Sequence, residues 1–181
     1  MQLSNVFYLM FGAIITIMVE YFLVSIKETR ETKRVMEIIN AELMKNKEKS
    51  SKIKSKISQS NANTFGNDLI DLQKEIKQNP FLFFGKEILK NKFSTLRIDA
   101  DYFIDVTIIY QDLKDLDSYI LSYPGSHHAG QVKTIKEYII NKVEICNMKI
   151  SKKIDCSIKI NNNSEKLNWL KHIFWLFLIQ T

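Results

Sequence analysis

Apolar and polar positions divide the chain into stretches with different periods. From Val6 to Val19 the sequence reads VFYLMFGAIITIMV, without a charge; after Glu20 the apolar character resumes in YFLV and ends at Ile26. These 21 residues, at about 1.5 Å each, would form a helix of about 31 Å, close to the ~30 Å hydrocarbon thickness of a bilayer. A helix is the expected form, because hydrocarbon offers no water to backbone polar groups. Tyr8 and Tyr21 fall toward the two ends, where amphipathic rings favour the interface.

Residues 27–60 change period. Met36, Ile39, Leu43, Asn46, Ser50, Ile53 and Ile57 follow a 3, 4, 3, 4, 3, 4 spacing, a heptad register with two polar members. That predicts a helix running on from the apolar segment, with a weak or partner-dependent coiled coil. Ser58 to Asn67 (SQSNANTFGN) interrupts the pattern and reads as a turn.

Beyond residue 68 the pattern is mainly helical. Leu69, Leu72 and Ile76 share a face, and Asn79-Pro80 ends that helix. Pro80 suits the first turn of a new helix, with Asn79 as its N-cap. Phe81, Phe83 and Phe84 open that piece and read first as core. A long stripe follows: Ile98, Tyr102, Val106, Ile109, Leu113, Leu116 and Ile120. A second comprises Val132, Ile135, Ile139, Val143, Cys146, Ile150, Ile154 and Ile158. The turn PGSHHAG between them (124–130) predicts an antiparallel helical hairpin. Residues 98–110 also alternate strictly, and 146–160 nearly so, which is a strand signal.

The expected fold is therefore all-α: an N-terminal transmembrane helix, a long juxtamembrane helix and a small cytoplasmic helical bundle. The alternative is α+β, with short strands near 98–110 and 146–160. Divided by composition, residues 1–26 are the anchor and 27–60 the Lys-rich helix. Residues 61–163 are the helical domain. After Asn161-Asn162-Asn163, residues 164–181 form an apolar C-terminal helix with Ser164 as its N-cap. Its stretch from Leu167 to Ile179 is 13 residues, ~20 Å as a helix and too short to span. Trp169, Phe174, Trp175 and Phe177 mark it for the bundle core, the membrane interface or a partner.

Charge sharpens the membrane reading. The net charge is +6 and mean hydropathy −0.14, ordinary for a soluble protein, but the first 26 residues hold no Lys or Arg and only Glu20 as an acid. A cleaved signal peptide would want a basic start, a shorter core and a small-residue cleavage site. MQLSN has no base and no A-x-A follows, so a retained anchor is expected. Lys27, Arg30, Lys33 and Arg34 follow the span. The positive-inside rule then places the N-terminus outside and the remainder in the cytoplasm, and the cell's inner membrane is the expected location. Cys146 and Cys156 are expected as free thiols there. Glu20 is either an intramembrane site for a partner or proton, or a carboxylate reaching the nearby headgroups.

Lys45, Lys47, Lys49, Lys52, Lys54 and Lys56 form a basic cluster. It reads first as a solvated helix face. Lipid headgroups would require the arm to bend back, because a rigid helix holds Lys45 about 28 Å from the membrane. Nucleic acid is disfavoured by 23 Lys against three Arg and by the lack of interleaved aromatics.

Candidate chemistry is sparse. His127-His128 sits in a loop without the paired Cys or His of a structural zinc site. Asp99, Asp101, Asp105, Asp112, Asp115 and Asp117 form an acidic run in which Asp101 and Asp105 lie one turn apart. They read as a solvated face that pairs with the Lys-rich arm; a cation or acid/base site is the alternative. With five Gly there is no phosphate loop, and no G-x-S-x-G or H-E-x-x-H occurs. No cofactor is expected. The expected function is a non-catalytic scaffold, adaptor or signal relay, working as a homo-oligomer or with a membrane-protein partner. The alternatives are a membrane-perturbing effector and a membrane-tethered enzyme using the Asp-rich helix.

Overall fold

The structure is a computed structural model. It describes the backbone of residues 3–94, 96, 98–124 and 129–179, and the side chains of residues 7–94, 96, 98–124 and 130–156. Five helices and no strands occur among the described residues: α1 (Leu3–Gln59), α2 (Phe65–Gln78), α3 (Phe84–Lys92), α4 (Ala100–Ser122) and α5 (Ala129–Ile179).

α1 is one unbroken helix of 57 residues. No Gly or Pro falls between Ala13 and Gln59, so nothing in the sequence forces a kink. Its first part has no packing partner among the described residues: every residue from Phe7 to Tyr21 is exposed. Within that part Thr16 donates its hydroxyl to the Gly12 carbonyl at 2.9 Å, satisfying its polar group along the helix itself.

The lower part of α1 is core. All seven heptad positions, Met36, Ile39, Leu43, Asn46, Ser50, Ile53 and Ile57, are buried. The helices that pack on α1 are α5, α3 and α2 of the same chain. The coiled-coil seam is thus filled from within. Its two polar members are matched: Asn46 accepts the Leu82 N–H and donates to the Leu82 carbonyl, both at 2.8 Å. Ser50 donates to Asn147 Oδ1, and Asn147 donates to Ser51 Oγ at 3.1 Å.

The turn after α1 is built by Asn61. Its side-chain oxygen accepts the N–H groups of Asn63 (2.9 Å) and Thr64 (3.0 Å), and its carbonyl accepts that of Phe65 (2.9 Å). α2 then buries Phe65, Leu69, Leu72 and Ile76.

The segment after α2 departs from expectation. Asn79 is the C-cap of α2, its N–H bonded to the Glu75 carbonyl at 2.8 Å, and not the N-cap of a following helix. Residues 80–83 are not helical. Asn46 takes both backbone groups of Leu82, and Phe81 is driven into the core. Those tertiary bonds outweigh the helical start that Pro80 permits. Of the three phenylalanines, Phe81 is buried, Phe83 half-buried and Phe84 exposed.

α4 and α5 form the expected antiparallel hairpin, tied by Asp112–Lys149 and Asp105–Lys153. The strand alternative at 98–110 and 146–160 is corrected: residues 100–110 and 146–160 are helix, and Ile98 and Asp99 precede α4. Strict alternation fails because Ile104 and Ile108 are exposed, whereas Tyr102, Val106, Ile109, Leu113, Leu116 and Ile120 are buried. The 3.6-residue period decides. Asp99 caps α4, accepting the Asp101 N–H at 3.1 Å. Gln73 closes its other end by donating to the carbonyls of Ile120 (2.8 Å) and Tyr123 (2.7 Å).

The break expected at Asn161-Asn162-Asn163 is also corrected, because α5 runs through it. Each Asn costs a helix under about 1 kcal/mol, far less than the ~3 kcal/mol of a proline. Buried residues from Val35 of α1 to Ile150 of α5 belong to one core.

Candidate functional site

The Lys-rich cluster does not form one free basic surface. Lys49 donates to the Asn79 carbonyl and lies 4.5 Å over the Phe81 ring. Lys52 pairs with Glu48 at 2.9 Å, Lys54 with Glu144 at 2.7 Å and Lys56 with Glu75 at 3.8 Å. Lys45, Lys47 and Lys49 have no ion pair among the described residues. The helix register explains this: cations flanking a buried seam lie beside whatever packs on the seam.

The acidic run is likewise distributed. Asp99 is a cap, Asp101 is exposed, and Asp115 accepts from Gln111 at 2.8 Å. Asp105 and Asp112 pair with α5 lysines, at 2.6 Å and 2.5 Å, and not with the α1 arm. Asp117 is the exception: it is buried near Lys49. Burial pushes its carboxyl above the ordinary value of 3.8, against the opposing pull of Lys49 and the Phe81 N–H. Burial in turn lowers the Lys49 ammonium, against the pull of Asp117 and Glu75.

A cleft between α4 and α5, about 230 Å³, is lined by Asp105, Ile108, Ile109, Lys149, Lys152, Lys153 and Cys156. Two of its lysines are already committed. Lys149 holds Asp112, while Lys153 holds Asp105 and stacks 4.7 Å above the Tyr102 ring. The cleft is thus a set of matched ion pairs beside the exposed thiol of Cys156. Cys146 is buried, and burial pushes its thiol up to about 11.

A second polar group was not foreseen from the sequence. Glu42 is buried on α1 and accepts the Gly85 N–H through Oε2 at 3.0 Å. Glu42 Oε1 and the Tyr110 hydroxyl are buried without a hydrogen bond among the described residues. Burial, with the neighbouring Glu42 carboxylate, holds the Tyr110 phenol above its ordinary value. Gly85 is required by closeness: a Cβ there would overlap the Tyr110 hydroxyl and meet Ile39 Cγ1 at 3.0 Å. Such a sealed contact admits no substrate. A lone Glu at the flank of a heptad was its only sequence signal.

Among the described residues no three His, Cys, Asp or Glu side chains are placed to hold a metal ion. His127-His128 lies outside the described residues. So do the side chains of Trp169, Phe174, Trp175 and Phe177, which fall within the helical span of α5.

The region that the bundle leaves without a packing partner is the start of α1. It is long and apolar enough to cross a membrane, and none of it is buried. Glu20 is exposed on it, and about 160° around the helix from Phe22. The structure thus defines an all-helical bundle continuous with one apolar N-terminal helix. No protein-family model, curated protein or solved structure matches the chain.

Proposed function

We propose that this chain is a single-pass protein of the cell's inner membrane, N-terminus outside and bundle in the cytoplasm. In this reading it serves without catalysis as a scaffold, adaptor or signal relay within a membrane complex. The observation that carries the reading is the continuity of α1. The same unbroken helix is exposed on all sides from Phe7 to Tyr21 and is core from Val35 to Ile57. Uniform exposure of large apolar side chains is unfavourable in water and favourable in hydrocarbon. A tilt or rotation of the outer end is passed directly to the seam that α2, α3 and α5 grip. Because that seam is filled from within the chain, contact with a second copy or a partner falls to the anchor itself. Glu20 is the polar position on it.

Two measurements test this. A membrane-impermeant maleimide should label the exposed Cys156 in inside-out vesicles and not in intact cells. Crosslinking in native membranes should capture a second copy or another membrane protein. Recovery in the soluble fraction overturns the anchor, and monomer alone overturns the scaffold.

A further inference from the structure

We propose that the end of α5 enters the leaflet nearest Lys27, beside α1, so that one full-depth helix and one half-depth helix hold the chain in the bilayer. The inference rests on α1 being a membrane anchor, and three observations lead to it.

The first is register. Ser50 and Ser51 of α1 bond Asn147 of α5, and Lys54 pairs with Glu144. Further down, Lys136 donates to the carbonyls of Ser58 (2.8 Å) and Ser60 (2.7 Å). The helices therefore run antiparallel, with α5 pointing back toward the anchor. α5 is helical to Ile179. From Asn147 to Ile173 it climbs about 39 Å, and from Ser50 to Lys27 α1 climbs about 35 Å. The apolar run Ile173 to Ile179 thus begins within about one turn of the residue that ends the anchor's apolar segment.

The second is a covered stripe on α1. Phe22, Ser25, Ile26 and Thr29 are half-buried and Thr32 is buried, while Tyr21, Leu23 and Val24 are exposed. One face of α1 is therefore sheltered as far up as Phe22 and no further. The other helices stop lower. α3 ends at Lys92, which bonds Glu31, and Tyr102 near the start of α4 reaches Asn40 at 3.5 Å. α5 is the helix with the length to reach Phe22.

The third is composition. IFWLFLI, residues 173–179, has no polar member, and Lys171-His172 stands immediately before it. A helix apolar all round needs apolar surroundings on every side. α1 supplies one side only. At that height the remaining sides meet acyl chains, with Lys171 and His172 level with the headgroups. Seven residues, about 10 Å, reach into one leaflet and cannot cross.

The test uses the two tryptophans, Trp169 and Trp175, in full-length protein reconstituted into phosphatidylcholine–phosphatidylglycerol vesicles. W169F leaves Trp175 as the reporter, and W175F leaves Trp169. Lipids brominated on the acyl chain should quench Trp175 more than Trp169, and aqueous iodide should do the reverse. Trp175 emission should also be the more blue-shifted. Flotation with the vesicles separates the two ideas. Protein that fails to float overturns the anchor. Protein that floats while Trp175 is quenched by iodide overturns the half-depth helix alone. Floating protein whose Trp175 escapes both quenchers also overturns it, because another protein surface then covers the segment.

Discussion

Between Phe7 and Tyr21 every residue of α1 is exposed whichever way it points. Between Val35 and Ile57 burial returns every three or four residues. The backbone is the same helix throughout, so the difference lies wholly in what surrounds it. The upper part has no polar face, and Glu20 is its one charged position. The lower part has a narrow apolar seam, charged flanks and two polar seam residues. Asn46 and Ser50 bond one backbone segment and one side chain, which fixes how α1 sits against its neighbours. An apolar surface without a pattern selects a solvent, and a patterned one also fixes a register.

The largest effects come from breaking each part separately. Leu43 is fully buried in the seam. Leu43→Ala should lower bundle stability by about 2–5 kcal/mol, read by denaturant unfolding in detergent, while membrane recovery stays unchanged. Ile15→Arg places a charge in the exposed apolar part, at about 2.5–3.5 kcal/mol of insertion free energy. It should reduce membrane recovery and leave the unfolding midpoint where it was. If each variant altered both readouts, the two parts would not be energetically separate.

A smaller effect sharpens the seam itself. Gly85 lets α3 sit against the Tyr110 hydroxyl while its N–H bonds Glu42. Gly85→Ala should cost about 1–3 kcal/mol through overpacking. Tyr110→Phe removes the atom that a Cβ overlaps. The double variant should therefore be more stable than the two single changes summed, and simple additivity would refute the contact.

What the sequence disclosed follows from the range of each interaction. Periodicity is local, so the heptad of α1 and the stripes of α4 and α5 could be read directly, and their positions are buried from Met36 to Ile57, from Tyr102 to Ile120 and from Val132 to Ile150. Bonds between distant residues left no local trace. Nothing near Pro80 indicates that Asn46 will hold Leu82 extended, and nothing near Asn161 indicates that α5 continues. Asp117 lay inside an acidic run, yet it stands four residues from Leu113 and three from Ile120, on the edge of the buried stripe. Its position was visible; its consequence needed Lys49 and Phe81 brought beside it. The Lys cluster is similar, because the partners of Lys49, Lys54 and Lys56 come from elsewhere in the chain.

Asp117 gives the smallest effect and the one with a defined pH dependence. Its folded carboxyl is raised above the ordinary value of 3.8, chiefly by burial. The folded state therefore holds the proton more tightly than the unfolded state. Linkage then makes the stabilisation full below about pH 4 and lost as pH rises through the folded value. At neutral pH the ionised group is a net cost despite Lys49. Asp117→Asn keeps a side-chain acceptor for the Phe81 N–H and removes that charge. The variant should be at least as stable as the parent at pH 7, and the difference should close toward pH 4. Lys49 keeps the Asn79 carbonyl and the Phe81 ring, with Glu75 near it, so its charge is not stranded by the change. Thermal unfolding of both proteins across that range checks the sign. A variant that is weaker at pH 7 and equal at pH 4 would mean that Lys49, rather than burial, dominates at Asp117, and that this flank of the seam is held by charge and not by packing.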